Sequence, residues 1–515
     1  MRDEEAAQEG YAGMNIYKYG KNLRCGYTTG ACAAAAARAA ADMLLNDRVA
    51  ADTELVLKGS AVRFSVEDAR RGDGWARCAV RKDAGADIDV TDGLLIYAEV
   101  QRTAAGSRAG AAALDPKNAD PPEHGASRVG RTDPPEQEIS RVGRTAPTKE
   151  RIIIKGGPGV GIVTKAGLDQ PVGAAAINSG PRRMITDAVL QICDEADYDG
   201  ALTVTVSVPG GAEIAEKTFN PVLGIQGGIS ILGSTGIVEP MSEPALIETI
   251  RAEMRVKWLE ISAYNDAADG VKGTNDAADV YSDGAAETAQ GAGERRVKRD
   301  TVVIVPGNYG MKFAAEKLGA AEGRTVKCSN FIGEALDCAC ELGIPEIVLA
   351  GNLGKLVKLA GGIFNTHSRN ADCRMDILMR CAFTAASELL NGSQNDDSTC
   401  SDNRCRYDRK NSAEAICSLM AALNSCVTTD AAIEVLKEAG TAITGGDACS
   451  YGNIDRSENI DAEKHSLLDA TMRIIAEKAI YHIKRRCSGS ENGMPRIRFI
   501  IISNDMEILA EKVIE

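Results

Sequence analysis

Residues 151–185 read RIIIKGGPGVGIVTKAGLDQPVGAAAINSGPRRMI, and the rest of the chain is organised around this stretch. It opens with the apolar run III at residues 152–154, which predicts a short strand, and seven glycines follow. Glycine tolerates positive φ and lets the backbone approach a bound group closely. Amides clustered in such a loop can point at an anionic ligand. The alternative interpretation is a run of turns that links strands.

The charges of this stretch favour the ligand-binding interpretation. A polar turn is predicted at residues 178–181, ahead of a helix that we expect over residues 184–196. Positive side chains flank the glycines and could bind an anionic group. The candidate substrate-binding residues here are Lys155, Gly156, Gly157, Arg182 and Arg183.

A second candidate anion site precedes an alanine-rich segment, LRCGYTTGACAAAAARAAA at residues 23–41. Thr28 or Thr29 is a favourable N-cap, and the alanine run from Ala31 is a strong helix former. The N-terminus of such a helix exposes free amides and the positive end of its dipole. The alternative is a well-capped helix that packs closely against a sheet.

Composition excludes several classes of function. A chain of 515 residues with 44% hydrophobic residues predicts two or three domains. The net charge of −14 argues against nucleic-acid binding. No apolar run is long enough to span a membrane, and the acidic N-terminus is unlike a signal peptide. The 15 cysteines form no zinc-like pair, so we expect reduced thiols in a cytoplasmic protein without a protein-bound metal.

Low-complexity segments interrupt the globular pattern. Residues 120–145 contain the tandem repeat DPPEHGASRVGRT and DPPEQEISRVGRT, and residues 265–279 repeat NDAAD. Such segments have too few large apolar side chains to form a core. We predict a disordered tail at residues 1–20, a disordered insertion at 103–150 and a disordered linker at 264–300.

From residue 301 the pattern changes to strand, glycine-bearing turn and helix, repeated three times. Strands are predicted at residues 301–305, 325–327 and 346–350, and a final strand at 497–502. This order predicts an α/β domain with a parallel sheet, whose ligands bind where the strands end. Three turns should therefore share one edge of the sheet: residues 307–310, 328–330 and 351–355.

Two further segments carry candidate chemistry. The loop KDAGADIDVTDG at residues 82–93 contains four aspartates, which favours Asx turns or a substrate-shaping role over a metal site. It lacks the closing glutamate of an EF-hand. Residues 355–374 carry several cations around His367, for which a structural and a catalytic role both remain open.

Seven stretches in order resemble one family, the cobalt-precorrin-5B C1-methyltransferases of anaerobic cobalamin biosynthesis. The resemblance implies transfer of the methyl group of S-adenosylmethionine to carbon 1 of a cobalt-bound tetrapyrrole, giving cobalt-precorrin-6A. It also implies an α+β substrate domain, residues 21–263, followed by a Rossmann-like α/β domain, residues 301–515. The resemblance rests on residues 23–36, 82–93, 155–183, 227–239, 306–310, 328–337 and 354–374.

The resemblance also assigns roles to residues. A corrin precursor carries many carboxylates, which Arg and Lys bind with charge-assisted hydrogen bonds. If a base is needed, Asp83 and His367 are the catalytic candidates. Cofactor binding is expected at Gly307, Asn308, Tyr309, Gly310, Asn330 and Gly351. Substrate binding is expected at Arg24, Thr28, Thr29, Gly30, Lys155, Gly156, Gly157, Arg182, Arg183, Lys355 and Arg369.

Four positions depart from the family pattern: Ala86, Ile88 and Asp92 in the aspartate loop, and Asn352, where many relatives carry His. Two other functions remain open. One is a phosphotransferase, although GGPGVG lacks the Gly-Lys-Ser/Thr ending of a phosphate-binding loop. The other is a corrinoid-binding protein without catalysis. The sequence does not decide whether the chain forms a homo-oligomer.

Overall fold

A computed structural model describes residues 15–49, 51–103, 151–270, 297–298, 300–392, 404–443 and 466–514. Nearly all of the predicted insertion at 103–150, and most of the predicted tail and linker, lie outside these residues. Within the described ranges, no helix is both long and apolar enough to cross a membrane.

The chain divides into two compact units. Unit 1 comprises Met1–Lys165 and Asp169–Ser242, and unit 2 comprises Ala166–Leu168 and Glu243–Glu515. The sequence predicts the end of the first domain at residue 263. The helix that begins at Glu243 instead belongs to unit 2.

Unit 1 combines one five-stranded sheet with several two-stranded ladders. The sheet has the order β6-β7-β8-β12-β9, with only the β9–β12 pair parallel. In the strand at residues 202–207, LTVTVS, every second side chain is buried. This alternation of apolar and hydroxyl residues made the strand predictable from the sequence. The strands are β1 Asn15–Lys18, β2 Lys21–Arg24, β3 Gly26–Tyr27, β4 Asp52–Leu57, β5 Ser60–Ser65, β6 Glu67–Gly72, β7 Trp75–Arg81, β8 Leu95–Arg102, β9 Ile152–Gly156, β10 Gly159–Val160, β11 Ile162–Val163, β12 Leu202–Ser207, β13 Ile225–Gln226, β14 Gly228–Ile229 and β15 Ile237–Val238.

The helices of unit 1 are α1 Thr29–Asn46, α2 Ser179–Glu195, α3 Gly211–Ala215 and α4 Asn220–Leu223. Helix α1 begins after the predicted N-cap Thr28, whose hydroxyl accepts the amide of Ala31 at 3.1 Å. Its alanines are buried because methyl side chains let it approach β7, β8 and α2 closely. The helix ends at Asp47, which has a φ of 55°.

Unit 2 contains a second five-stranded sheet with helices around it. Its strands are β16 Thr301–Val305, β17 Thr325–Lys327, β18 Glu346–Asn352, β19 Arg496–Ile502 and β20 Ile508–Ile514. Its helices are α5 Glu243–Gly270, α6 Asn308–Leu318, α7 Ile332–Glu341, α8 Leu353–Leu356, α9 Arg374–Gly392, α10 Arg404–Ser425, α11 Thr429–Ile443 and α12 Leu467–Cys487, with 3₁₀ turns at Glu322–Arg324 and Val357–Gly361.

The strand order in this sheet is β17-β16-β18-β19-β20, and the first four strands are parallel. Both faces are buried: Val302 and Ile304 belong to one apolar cluster, and Val303 and Val305 to another. This explains the uninterrupted apolar run of β16. The antiparallel edge strand β20 was not predicted, because its charged, half-exposed residues do not read as a core strand.

Candidate functional site

The glycines at residues 156–161 allow close packing within unit 1. Gly159 has a φ of 77°, and a Cβ there would lie 1.8 Å from the carbonyl oxygen of Val208. The amide of Gly157 donates to the carbonyl of Val206 at 2.7 Å. The amide of Gly157 and the space beside Gly159 are thus occupied by other parts of the chain. This supports the interpretation as linking turns and weakens the prediction that the loop binds an anion.

Helix α2 starts earlier than predicted. Residues 178–181 do not form a separate turn, because Ser179 begins the helix and Pro181 lies in its first turn. The carboxylate of Asp169 accepts the amide of Ser179 at 2.5 Å and its hydroxyl at 2.9 Å. Burial alone would raise the pKa of Asp169, but hydrogen bonds from Gln170 and Ser179 outweigh burial and lower it. The helix N-terminus is therefore already capped by a carboxylate.

Three cations of this stretch, Lys155, Arg182 and Arg183, differ in their availability. Arg182 donates through Nε to the carbonyl of Ile177 at 2.8 Å and through Nη1 to Ile154 at 3.3 Å. Burial lowers the pKa of Arg182, which braces the loop against β9. Lys155 and Arg183 are exposed and have no ion-pair partner among the described residues. Of these three cations, Lys155 and Arg183 remain available to an external carboxylate.

The N-terminus of α1 is satisfied by its own unit. The amide of Gly30 donates to the carbonyl of Leu232 at 3.0 Å, and the hydroxyl of Thr29 accepts the amide of Leu232 at 2.9 Å. A Cβ on Gly30 would lie 2.6 Å from Cγ of Pro181. Thr28, Thr29 and Gly30 therefore hold the helix against its neighbours. The amides of Gly30 and Ala31 already have acceptors, which argues against the anion site predicted at this terminus.

Replacing Thr29 with valine tests this structural role. The substitution keeps the shape but leaves the part-buried amide of Leu232 without its acceptor, so we expect a loss of about 1 kcal/mol in unfolding free energy by urea titration. The half-buried Thr53, which lies in β4, is the matched control. A Thr29→Val variant as stable as Thr53→Val would contradict the structural role.

Asp83 is paired with Arg24, which the sequence placed among the substrate-binding candidates. The guanidinium donates to both carboxylate oxygens, with a distance of 2.8 Å from Nη2 to Oδ1. The hydrogen bonds from Arg24 lower the pKa of Asp83. A carboxylate with a lowered pKa is a weak proton acceptor at neutral pH. The pair thus fits a loop-fixing role better than general-base catalysis.

The rest of the aspartate loop is held by internal hydrogen bonds. Asp89 binds the buried ammonium group of Lys82 at 2.6 Å and accepts both donors of Thr91. Asp92, a departure from the family pattern, accepts the amide of Ala84 at 2.8 Å. Among the described residues, no group of three or more His, Cys, Asp or Glu side chains could hold a metal ion.

In unit 2, the three predicted turns meet at one edge of the parallel sheet, which we call the rim: residues 306–310, 328–330 and 351–355. Lys355, beyond the end of β18, donates its ammonium hydrogens to the carbonyls of Pro306 at 3.0 Å and Ser329 at 3.4 Å. One side chain thus ties the ends of three strands together. The predicted convergence of these turns is confirmed.

The glycines of the rim have different roles. A Cβ on Gly310 would lie 2.7 Å from Cβ of Val305, and one on Gly351 would lie 2.8 Å from Cδ of Pro306. Both glycines allow close packing. A Cβ on Gly307 would meet nothing within 4 Å, and its φ of −175° suits any residue. Gly307 therefore borders open space where a ligand could lie.

The start of α6 contrasts with that of α1. Its N-cap Gly307 makes no side-chain cap, and no acceptor for the amides of Asn308, Tyr309 and Gly310 is found in the described part of the chain. The side chain of Asn308 accepts the ammonium of Lys327 at 2.8 Å, and Tyr309 is exposed. This terminus keeps free donors at the rim.

Asn330 and His367 help to build a loop beside the rim. The carbonyl of Asn330 accepts the amide of Thr366 at 2.9 Å, and Nδ1 of His367 accepts the amide of Arg369 at 3.1 Å. Buried Lys358 donates to the carbonyl of Thr366 at 2.9 Å. These contacts support a structural role for His367, and Arg369 lies exposed nearby.

The sequence analysis assigned no binding role to three polar residues at or next to the rim. Ser329 has a φ of 53°, a conformation rare outside glycine. Asn352 caps α8 by accepting the amide of Gly354 at 2.8 Å, and it donates to Oδ1 of Asn504. Asn504 lines a crevice of about 290 Å³ with Asp430. Its position just after the apolar run at residues 497–502 was the available signal.

Comparison with known proteins shows the family to which the chain belongs. The family model CbiD matches residues 16–113 and 136–240. The chain is 38% identical over 382 residues to the cobalt-precorrin-5B C(1)-methyltransferase of Ruminiclostridium cellulolyticum, covering 73% of this chain and 77% of that protein. The chain belongs to the CbiD family.

One further sequence relative and one solved structure are similar to the chain. The protein of Methanocaldococcus jannaschii with the same name is 36% identical over 364 residues, covering 70% of this chain and 78% of its own length. A crystal structure titled cobalamin biosynthesis protein (cbiD) from Archaeoglobus fulgidus shares 23% identity and covers 73% of this chain and 92% of that one, with a TM-score of 0.31. The resemblance drawn from seven motifs is confirmed by the family model and the sequence relatives.

Proposed function

We propose that this CbiD chain methylates carbon 1 of cobalt-precorrin-5B with S-adenosylmethionine, giving cobalt-precorrin-6A in anaerobic cobalamin biosynthesis. The single observation that carries the proposal is membership of a family whose relatives are named for this reaction and match over most of their length. The non-catalytic corrinoid-binding alternative has no comparable support.

The rim of unit 2 is the proposed donor site. It lies at the carboxyl ends of parallel strands, between β16 and β18, where the chain order reverses and ligands of such sheets bind. Gly307 leaves open space there, and the amides at residues 308–310 have no described acceptor. Gly310 and Gly351 shape this site through packing rather than by touching the donor.

Unit 1 is the proposed substrate-binding unit. Lys155 and Arg183 are its best candidates for the carboxylates of the tetrapyrrole, because both are exposed and free of described ion pairs. Arg24 is bound to Asp83, and Arg182 to backbone carbonyls, so each would have to share its donors.

For this reaction the protein mainly has to position the two reactants. A bond forms between the ring carbon and the methyl carbon while the methyl–sulfur bond breaks, leaving S-adenosylhomocysteine. Alignment of the two centres and exclusion of water lower the barrier to such a displacement. The lowered pKa of Asp83 and the turn-building role of His367 leave neither as a well-placed base.

Donor binding separates this proposal from the phosphotransferase alternative. We expect S-adenosylmethionine to raise the melting temperature of the purified chain, and ATP at the same concentration to leave it unchanged, since ligands stabilise the state that binds them. The amides of Gly157, Val160 and Gly161 in GGPGVG already donate to carbonyls of the chain, which argues against phosphate binding. Stabilisation by ATP alone would reject the proposal.

A further inference from the structure

Lys355 occupies an unusual place for a cation. Its ammonium is half-buried where β16, β17 and β18 end, and it donates to the carbonyls of Pro306 and Ser329. An ammonium carries three hydrogens, and these two carbonyls account for two of them. Burial lowers the pKa of Lys355, because the charged ammonium has lost part of its hydration.

The same corner of the rim holds a second group that favours anions. Pro306, one acceptor of Lys355, directly precedes Gly307 and the start of α6. The amides at residues 308–310 have no acceptor in the described ranges, and the helix dipole makes this end positive. No described carboxylate forms an ion pair with Lys355. A desolvated cation is therefore bound to Pro306, directly before the open amides of α6, and no described carboxylate pairs with it.

We propose that Lys355 binds the carboxylate of the amino-acid end of the methyl donor, together with the open amides at the start of α6. The proposal rests on the methyl-transfer function given above, and it replaces the sequence-based expectation that Lys355 binds the tetrapyrrole. The competing role is that of a purely structural tie between strand ends, which would need no ligand.

Three ligands and two variants distinguish these roles. S-adenosylmethionine and S-adenosylhomocysteine carry the carboxylate, whereas decarboxylated S-adenosylmethionine lacks it and keeps the sulfonium, methyl and adenosine groups. Isothermal titration gives each affinity for the wild-type chain, for Lys355→Met, which keeps most of the stem without the charge, and for Lys355→Arg, which restores a cation.

We expect Lys355→Met to weaken both carboxylate-bearing ligands about ten- to a hundredfold, the range for a hydrogen bond to a charged group. Its affinity for the decarboxylated ligand should stay within about twofold, and Lys355→Arg should recover part of the loss. Equal weakening of all three ligands would show a structural tie and overturn the proposal.

The wild-type chain provides a test that does not depend on a folded variant. It should bind S-adenosylmethionine at least about tenfold more tightly than the decarboxylated ligand. Equal affinities would overturn the role of Lys355 while leaving the methyl-transfer function intact. Failure to bind any of the three ligands would instead contradict the donor site itself.

Discussion

Replacing Asp89 with alanine is expected to lower the free energy of unfolding by about 3–5 kcal/mol, the cost of leaving a buried charge without its partner. Lys82 is 3% exposed, and its ammonium lies 2.6 Å from the Asp89 carboxylate. The same change also removes the acceptor of both Thr91 donors. Urea titration followed by circular dichroism measures the loss.

Asp52 provides the matched control, since its carboxylate is half-exposed and lies 3.9 Å from Arg63. Exposed ion pairs contribute at most about 1 kcal/mol, so Asp52→Ala should change stability little. A double variant, Lys82→Met with Asp89→Ala, should recover part of the loss because it removes the unpaired charge. Equal stability of Asp89→Ala and Asp52→Ala would contradict the account of this loop.

The Asp89 pair also predicts a direction of pH dependence. Burial alone would raise the pKa of Asp89, but hydrogen bonds from Lys82 and Thr91 outweigh burial and lower it. The stabilisation is therefore present above the ordinary carboxyl pKa of about 3.9 and is lost as the pH falls through the folded value. The difference in unfolding free energy between wild type and Asp89→Ala should shrink in acid and stay constant from about pH 6 to 8. A difference that grows in acid would show the wrong sign.

Replacing Gly307 with leucine is expected to lower kcat/KM roughly a hundredfold, because the side chain would fill the space proposed for the donor and displace it. The backbone permits the change: φ is −175° and a Cβ meets nothing within 4 Å. Loss of a favourable N-cap residue costs about 1 kcal/mol, so the fold should persist. Steady-state kinetics with varied donor measure the effect.

Two other glycines serve as controls. Gly323 also has open space at its Cβ position, but it lies in the 3₁₀ turn Glu322–Arg324, outside the rim, so Gly323→Leu should retain activity. Gly310→Ala should instead destabilise unit 2, since its Cβ would lie 2.7 Å from Val305. Full activity of Gly307→Leu would contradict the proposal that the donor binds at this edge of the sheet.

Parts of the fold were predictable because local pattern and tertiary role coincide. The run TVVIV of β16 is apolar throughout because both faces of its sheet are buried. The Thr28 cap and the alanine run place α1 correctly, because capping and helix propensity act over a few residues. Strand β20 was missed because an edge strand tolerates charge on its exposed side.

The candidate site was less predictable, for physical reasons. A glycine that packs against another segment of its own chain gives the same sequence pattern as one that packs against a ligand. The sequence therefore left both interpretations of the GGPGVG loop open. Pro181 suggested a turn, yet proline is well tolerated in the first turn of a helix, as in α2. The junction at Lys355 joins residues 26 and 49 positions apart, which no local pattern reveals.

Methyl transfer itself is the most direct test of the account. The purified chain should be incubated anaerobically with cobalt-precorrin-5B and methyl-labelled S-adenosylmethionine, with Gly307→Leu in parallel, and the products read by mass spectrometry. We predict a tetrapyrrole heavier by one labelled methyl group, located on carbon 1 by carbon NMR, with one S-adenosylhomocysteine formed for each. Unlabelled tetrapyrrole from a chain that demonstrably binds both ligands would contradict the proposed function.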